Sequence, residues 1–485
     1  MLKLKLPIKL FINAFTSMGI LSCGGGSESR VGINIMEGSQ NELPQATYPS
    51  PEMEMSETMP TPLPPTEDNS QPRVTPTPSP IPSSGEDPPP SDGSAPIPPI
   101  NVTPPPNSSI TLPPTPIDSG MPGNPSLQLR PGDKDVTFDA NKFDNNFPQI
   151  KQWITAGVRG GIPPIDSYTV QISLDGGNSD SINNAIDKAA QRGGGVVLLQ
   201  NGVYQIDKQV TMRSHVILSG ESRDRTVAII SMVDGNAFFF GKGVKNSGIH
   251  NIRIEGVWGQ PQYKWLNQDS AKNYELPGNN NVSVMFKEAE DSWIDGVDII
   301  NSAGAPLICN AKYITMRNLN VDGVHNKHDA DHGSFFILGA YNLLTQSKIT
   351  HLRHIAIQGD GVEYNVIYDN DLRQEISFYQ NDDGNNLVEN NRITLPVDMP
   401  NTTPDYRAIM GPSVRGFMRS KKNNFLYGNE ILEENHNDTR RMSGHNNVHI
   451  GPIFHYSEGE QQTRNFPADK YIPKARTLYP ILLNH

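Results

Sequence analysis

The chain has 485 residues, 35% of them apolar and 7% aromatic, with 42 glycines, 42 prolines and a formal charge of −12. The charge is uneven: residues 1–22 carry +3, residues 23–131 carry −9 and the remainder −6, so no stretch has the basic footprint of a nucleic-acid binder. Two cysteines, Cys23 and Cys309, offer no disulfide framework, and stability has to come from packing.

The first element in chain order is an export signal. Lys3, Lys5 and Lys9 precede an apolar run from Leu10 to Leu21, too short for the roughly 20 residues that cross a bilayer as a helix. Ile20-Leu21-Ser22-Cys23, followed by Gly24-Gly25-Gly26, resembles the lipobox of bacterial lipoproteins. The resemblance implies a signal peptide over 1–22 and acylation of Cys23. Two or more acyl chains, at ~0.8 kcal/mol per buried methylene, make a durable membrane anchor. Gly24, rather than Asp, beside the cysteine implies the outer membrane of a cell that has one. Residues 44–125 then hold 26 of the 42 prolines with few aromatics, a composition that builds no core. Residues 23–131 therefore read as a disordered linker, a stalk reaching on the order of 200 Å at about 3.1 Å per residue.

From residue 132 to 485 the pattern is that of one domain. Asp180 to Arg192 places Ile182, Ala185, Ile186 and Ala189 on one helical face, and Gly193-Gly194-Gly195 with a run of short apolar strands follows at once. Between residues 249 and 431 a six-residue pattern, apolar-x-x-(apolar or Asn)-x-apolar, recurs seven times. The copies are Ile249/Ile252/Ile254, Ile294/Val297/Ile299, Met316/Leu319/Val321, Leu352/Ile355/Ile357, Ile367/Asn370/Leu372, Val388/Asn391/Ile393 and Leu426/Asn429/Ile431. Their last apolar residues lie 45, 22, 36, 15, 21 and 38 apart, near one or two coils of roughly 20 to 24 residues. Each copy ends at period two, as a strand does, and a repeated buried Asn predicts an amide ladder from coil to coil. The expected fold is all-β: a single-stranded right-handed parallel β-helix with an N-terminal cap helix, preceded by the disordered linker.

The cap helix, the glycine turn and Asn201-Gly202-Val203-Tyr204 resemble the opening of the pectin lyase-like β-helix superfamily. There an Ala-rich helix, a Gly-Gly turn and a Pro-x-Gly-x-Tyr segment begin the stack; here Gln200 stands at the proline, while Gly202 and Tyr204 fit. The resemblance implies the fold, and a range of activities that includes pectate and alginate lyases, polygalacturonases, epimerases, tailspikes and adhesins. Trp293-Ile294-Asp295-Gly296 resembles the Trp-Ile-Asp-His of one pectate lyase family, but Gly296 replaces the histidine, so the carry-over fails at its polar member.

If the second and third slots of each hexad point inward, the residues beside them point out at period two, on coils about 4.8 Å apart. That gathers His354, Asp369, Asp371, Arg373 and Arg392 on one patch, with Gln358 beside it. Stacked Asp371 and Arg392 are equally an ordinary surface ion pair, worth about 0–1 kcal/mol. The functional reading is a polysaccharide groove. Arginines, or Ca²⁺ held by Asp residues, neutralise a uronate carboxylate while His354 or an arginine takes the neighbouring proton. Asp369 and Asp371 on one strand also suit an inverting glycosidase, although nearby arginines lower a carboxylate's pKa. A second cluster, His325, His328 and His332, lies in an excursion about 14 residues longer than a coil, and suits sugar contact or proton transfer; the alternatives are a transition-metal site and a plain solvated loop. A third excursion carries Trp258, Tyr263 and Trp265, which either stack on sugar rings or pin the loop. Asp382-Asp383-Gly384 reads as a plain turn, and the tail from Gly459 as a wrap over the far end.

These readings make a monomeric, surface-anchored protein that handles an extracellular polysaccharide. The first expectation is a lyase on an acidic glycan. The alternatives are a glycoside hydrolase, or a non-enzymatic adhesin or envelope scaffold on the same face.

Overall fold

Six of the seven hexads fold as two short strands joined at a sharp corner. Trp293–Asp295 runs in one sheet, Gly296 turns the chain, Val297 points inward, and Asp298–Ser302 continues in the next sheet. The corner residue is left-handed every time: Asn251, Gly296, Asn318, Gln346, Asp369, Asn390 and Gly428 have φ of 55°, 67°, 52°, 50°, 58°, 57° and 63°. Asn, Asp and Gly are the residues that accept this conformation most cheaply, which is why they recur there.

The computed structural model describes residues 130–134, 136–265, 275–327, 332–396, 409–410, 420–433, 449–451 and 473–482. Cys23, His328 and the Pro-rich stretch lie outside them. The described residues form three large sheets of 11, 10 and 8 strands, here sheets A, B and C, visited in that order around each coil, and a separate two-stranded sheet. Almost every pairing within them is parallel; the last strand of sheet A, His449–Gly451, closes antiparallel on Asn424–Tyr427. The cap helix spans Ser179–Gln191, with Asn178 and Ser181 forming a capping box. Its Ile182, Ala185, Ile186 and Ala189 are buried and close the open end of the apolar interior, as their spacing predicted.

The interior column of sheet B runs in register through Ile254, Ile299, Val321, Ile349, Leu372 and Ile393, and Ile431 pairs in register with Ile393. One hexad is therefore misplaced in the sequence reading. Ile355 and Ile357 belong to sheet C, beside Phe335 and Ile337 on one side and Ile376 and Phe378 on the other. The true corner copy is Leu344/Ser347/Ile349, concealed by serine in the middle slot. Ser347 fits the ladder there: its Oγ accepts from Leu319 N at 3.1 Å, and its own N–H donates to Asn370 Oδ1 at 3.0 Å.

The expected amide ladder is present. Asn370 Nδ2 donates to Asn391 Oδ1 at 2.8 Å, and Asn391 Nδ2 to Asn429 Oδ1 at 3.0 Å. A second ladder stands at the corner from sheet C to sheet A, where Asn365 Nδ2 donates to Asn386 Oδ1 at 2.9 Å and Asn386 Nδ2 to Asn424 Oδ1 at 3.0 Å. Each rung satisfies buried backbone groups that a sharp corner would leave unpaired.

The outer face of sheet A is apolar at Leu343, Val366, Leu387 and Phe425, and so must be covered. Phe147, Ile150 and Trp153 from the segment before the cap helix do this, with Leu478 and Tyr479 of the tail. Burial of each such side chain contributes ~1.5–3 kcal/mol. Trp153 Nε1 donates to Asn385 O at 2.7 Å, and Thr137–Phe138 pairs antiparallel with Ile481–Leu482. The described tail thus wraps the side of the stack, along sheet A, rather than its far end.

Candidate active site

The sequence places two excursions at the corner from sheet B to sheet C, after Arg253–Gly256 and after Asn320–Val324. The structure locks them together. Lys327, 1% exposed, donates from Nζ to Gln262 O at 2.7 Å and Lys264 O at 2.6 Å. Asn326 accepts from Leu276 N and donates to Asn279 O at 2.7 Å. His325 bonds Glu275 Oε2 through Nδ1 at 2.8 Å and Gly259 O through Nε2 at 3.1 Å, with Trp258 edge-on at 6.5 Å. These groups hold the strap across the coils.

The strap delivers its aromatic residues to two histidines. Tyr263 lies flat on His351, ring centres 3.6 Å apart at 4°, and its hydroxyl donates to Asp322 Oδ2 at 2.9 Å. Nδ1 of His351 meets Asp322 Oδ1 at 2.5 Å, and Thr350 Oγ1 donates to the same oxygen at 2.7 Å. Burial pushes the Asp322 carboxyl up, but the bonds from His351 and Thr350 outweigh it and hold it below the usual range. Asp322 is therefore ionised, Nδ1 carries the proton, and Nε2 is the basic nitrogen of the ring. Burial beside Asp322 raises the Tyr263 hydroxyl to about 12. One coil on, Arg373 stands next to Thr350 in the same column of sheet B.

Trp265, 3% exposed, donates from Nε1 to Glu375 Oε2 at 2.8 Å, while the other oxygen of Glu375 bonds Nδ1 of His354. Both His354 and Glu375 are buried. His354 therefore does not share the outer face of sheet B with Asp371 and Arg392, because its hexad belongs to the sheet C corner. Asp369 is a left-handed corner residue. Asp371 and Arg392 are exposed neighbours in a column Lys348, Asp371, Arg392 and Glu430, and Arg392 lies 3.8 Å from Glu430. Gln358 ends the sheet C strand Ile355–Gln358, and His332 Nε2 bonds Asn280 Oδ1 at 2.9 Å. Among the described residues no group of three His, Cys, Asp or Glu is arranged to hold a metal ion. Asp382 is buried in its turn, accepting from Ser420 Oγ at 2.6 Å and Asn424 Nδ2 at 3.0 Å.

A polar column on the outer face of sheet A escaped the sequence reading. Ser219, His250, Asp295, Arg317, Thr345, Tyr368, Glu389 and Tyr427 pair in register on successive coils. Arg317, 1% exposed, grips Asp295 through Nε at 3.0 Å and Nη2 at 2.8 Å, and Asp133 through Nη1 at 2.6 Å. Burial alone would raise Asp295, yet the arginine holds it low; burial lowers the His250 imidazole. From His250 onward each of these residues directly follows the first apolar position of a corner copy, which is the signal that would have found them.

Parallel coils of three short strands, amide ladders at their corners and an amphipathic helix over the first coil define a right-handed parallel β-helix. No protein-family model matches the chain, and no curated protein does. Solved structures of similar fold include a pectin methylesterase in complex with a hexasaccharide, 12% identical, covering 56% of this chain and 92% of that one with a TM-score of 0.34. The pectin methylesterase PemA from Erwinia chrysanthemi is 11% identical, with 56% and 92% covered and a TM-score of 0.33. The catalytic domain of a GH87 alpha-1,3-glucanase in complex with nigerose is 12% identical, with 55% and 45% covered and a TM-score of 0.33.

Proposed function

We propose that the protein is a carbohydrate-active enzyme that cleaves an acidic, uronate-containing polysaccharide by β-elimination, at the edge of sheet B formed by Asp322, His351 and Arg373. The observation that carries this reading is the His351–Asp322 pair, 2.5 Å apart, with Tyr263 stacked on the ring. A carboxylate that fixes Nδ1–H leaves Nε2 as a positioned base for the proton beside the sugar carboxylate. The proton passes to Nε2, the C–H electron pair forms a new C=C bond, and the pair of the breaking glycosidic C–O bond leaves with the oxygen, which takes a proton from solvent water. Arg373, one strand away at about 4.8 Å spacing, supplies the positive charge that stabilises the carboxylate as it takes on enolate character. Asp371 and Arg392 continue along the open face, where a linear chain would lie.

The test is a panel of pectate, alginate, glycosaminoglycan and neutral polysaccharides, with and without Ca²⁺, following the ultraviolet absorbance of unsaturated ends and reducing ends together. A rise in both channels is expected. His351→Gln should lower kcat by about 10²- to 10⁴-fold at an unchanged Tm; full activity in that variant removes the dyad from the mechanism. Reducing ends alone would favour a glycoside hydrolase, a reading supported by Asp369, whose carboxyl is raised by desolvation as an acid catalyst requires. Silence in both channels with glycan binding intact would favour an adhesin or envelope scaffold.

We also propose lipid anchoring through Cys23 at the cell envelope, with the Pro-rich stretch as a stalk. Cys23→Ser should move the protein from the membrane fraction to the soluble one; continued membrane association would overturn the anchor.

A further inference from the structure

We propose that the cleft between residues 130–134, residues 162–165 and the outer face of sheet A is a second ligand site, taking a carboxylate borne by a sugar acid or by a small organic acid. It lies away from the sheet B edge and requires no cleavage chemistry, so it does not rest on the lyase reading.

The cleft encloses about 270 Å³ and is lined by Arg130, Lys134, His250, Trp293, Asp295 and Arg317, among others. That is just below the roughly 300–1,000 Å³ of drug-sized ligand sites, so it suits a single ring or a short acid and excludes a polymer. Its lining is of two kinds. Trp293, Ile162, Pro163, Pro164 and Ile165 are apolar, suited to the C–H face of a ring. The other lining residues are charged, apart from His250.

Those charges do not cancel. Asp133 and Asp295 are both held by Arg317, through contacts of 2.6 and 2.8 Å. Arg130 approaches the same two carboxylates only at 3.7 and 3.6 Å, and its side chain stays 43% exposed. Lys134 is exposed at the rim. Three cations therefore face two carboxylates, and the surplus sits at the mouth, on the two side chains with the most freedom to turn toward a ligand. A neutral His250 at the base can accept or donate a further hydrogen bond. The buried Arg317–Asp295 pair fixes the floor, since neither side chain can leave without stranding the other's charge. A carboxylate matches the geometry because a guanidinium binds it through two parallel N–H bonds.

The experiment titrates the full-length chain with D-galacturonate, D-galactose and L-lactate, reading binding by calorimetry or ligand-observed NMR. D-galacturonate is expected to bind and D-galactose is not. Arg130→Gln and Lys134→Gln should each weaken binding at least tenfold, and His351→Gln should leave it unchanged. Binding of D-galacturonate alone identifies a sugar acid; equal binding of L-lactate identifies a free carboxylate. The proposal is overturned if no acid binds, if D-galactose binds equally, or if neither cleft variant weakens binding. Lys134 is exposed, so its variant keeps the test valid should Arg130→Gln misfold. Polysaccharide cleavage measured on the same samples separates the two sites: its loss in His351→Gln with galacturonate binding intact leaves this inference standing alone.

Discussion

Replacing Glu389 by Gln should remove a pH-dependent component of stability from the seam between the stack and the tail. Glu389 is 2% exposed in the outer column of sheet A. It accepts from Thr477 Oγ1 at 2.5 Å and from Leu478 N at 3.1 Å. Desolvation dominates over these bonds and raises its carboxyl from 4.5 to about 7. With the folded value above the unfolded one, the folded state holds the proton more tightly. The contribution is thus fully present below pH 4.5 and is lost as pH rises through about 7. At about 1.36 kcal/mol per pH unit the difference is ~3 kcal/mol, on the order of a hundredfold in an opening equilibrium. Gln keeps the volume and stays neutral. Hydrogen exchange of the peptide covering residues 473–482, measured between pH 4.5 and 8 and corrected for intrinsic exchange, should lose protection in the parent but stay nearly level in Glu389→Gln. The reasoning fails if the parent's protection rises with pH, or if both proteins show the same slope.

Asn391→Ala removes one rung that bonds Asn370 and Asn429; at ~1–3 kcal/mol per stranded buried group, a loss of ~3 kcal/mol should appear as a lower urea midpoint. Arg317→Met leaves Asp295 and Asp133 without their shared cation and should cost ~3–5 kcal/mol by the same assay, while Arg317→Met with Asp295→Leu should recover most of it. Tyr263→Ala removes the ring on His351 and the bond to Asp322; faster proteolysis at residues 257–281 and a lower kcat are expected, with Tyr263→Phe restoring resistance more than activity.

The sequence alone determined the coil, its cap and its first ladder. A helix such as Ser179–Gln191 and a corner such as Asn370–Leu372 depend on periodicity and local backbone preference, both of which are written in consecutive residues. It also pointed to the excursions that carry Tyr263, Trp265 and His325. Only the tertiary structure decided what those side chains meet. A coil returns after a variable number of residues, so one serine at position 347 was enough to shift a hexad to the wrong corner and carry His354 with it. The partnership of His351 with Asp322, and of Arg317 with Asp295 and Asp133, is set by which coils lie side by side and by where the segment before the cap helix crosses them. The cover over sheet A was hidden for the same reason: residues 130–165 show no repeat, and their partners lie hundreds of positions away, as Trp153 and Asn385 do. Local preference fixes the rungs of this fold, and the long-range stacking of rungs fixes its chemistry.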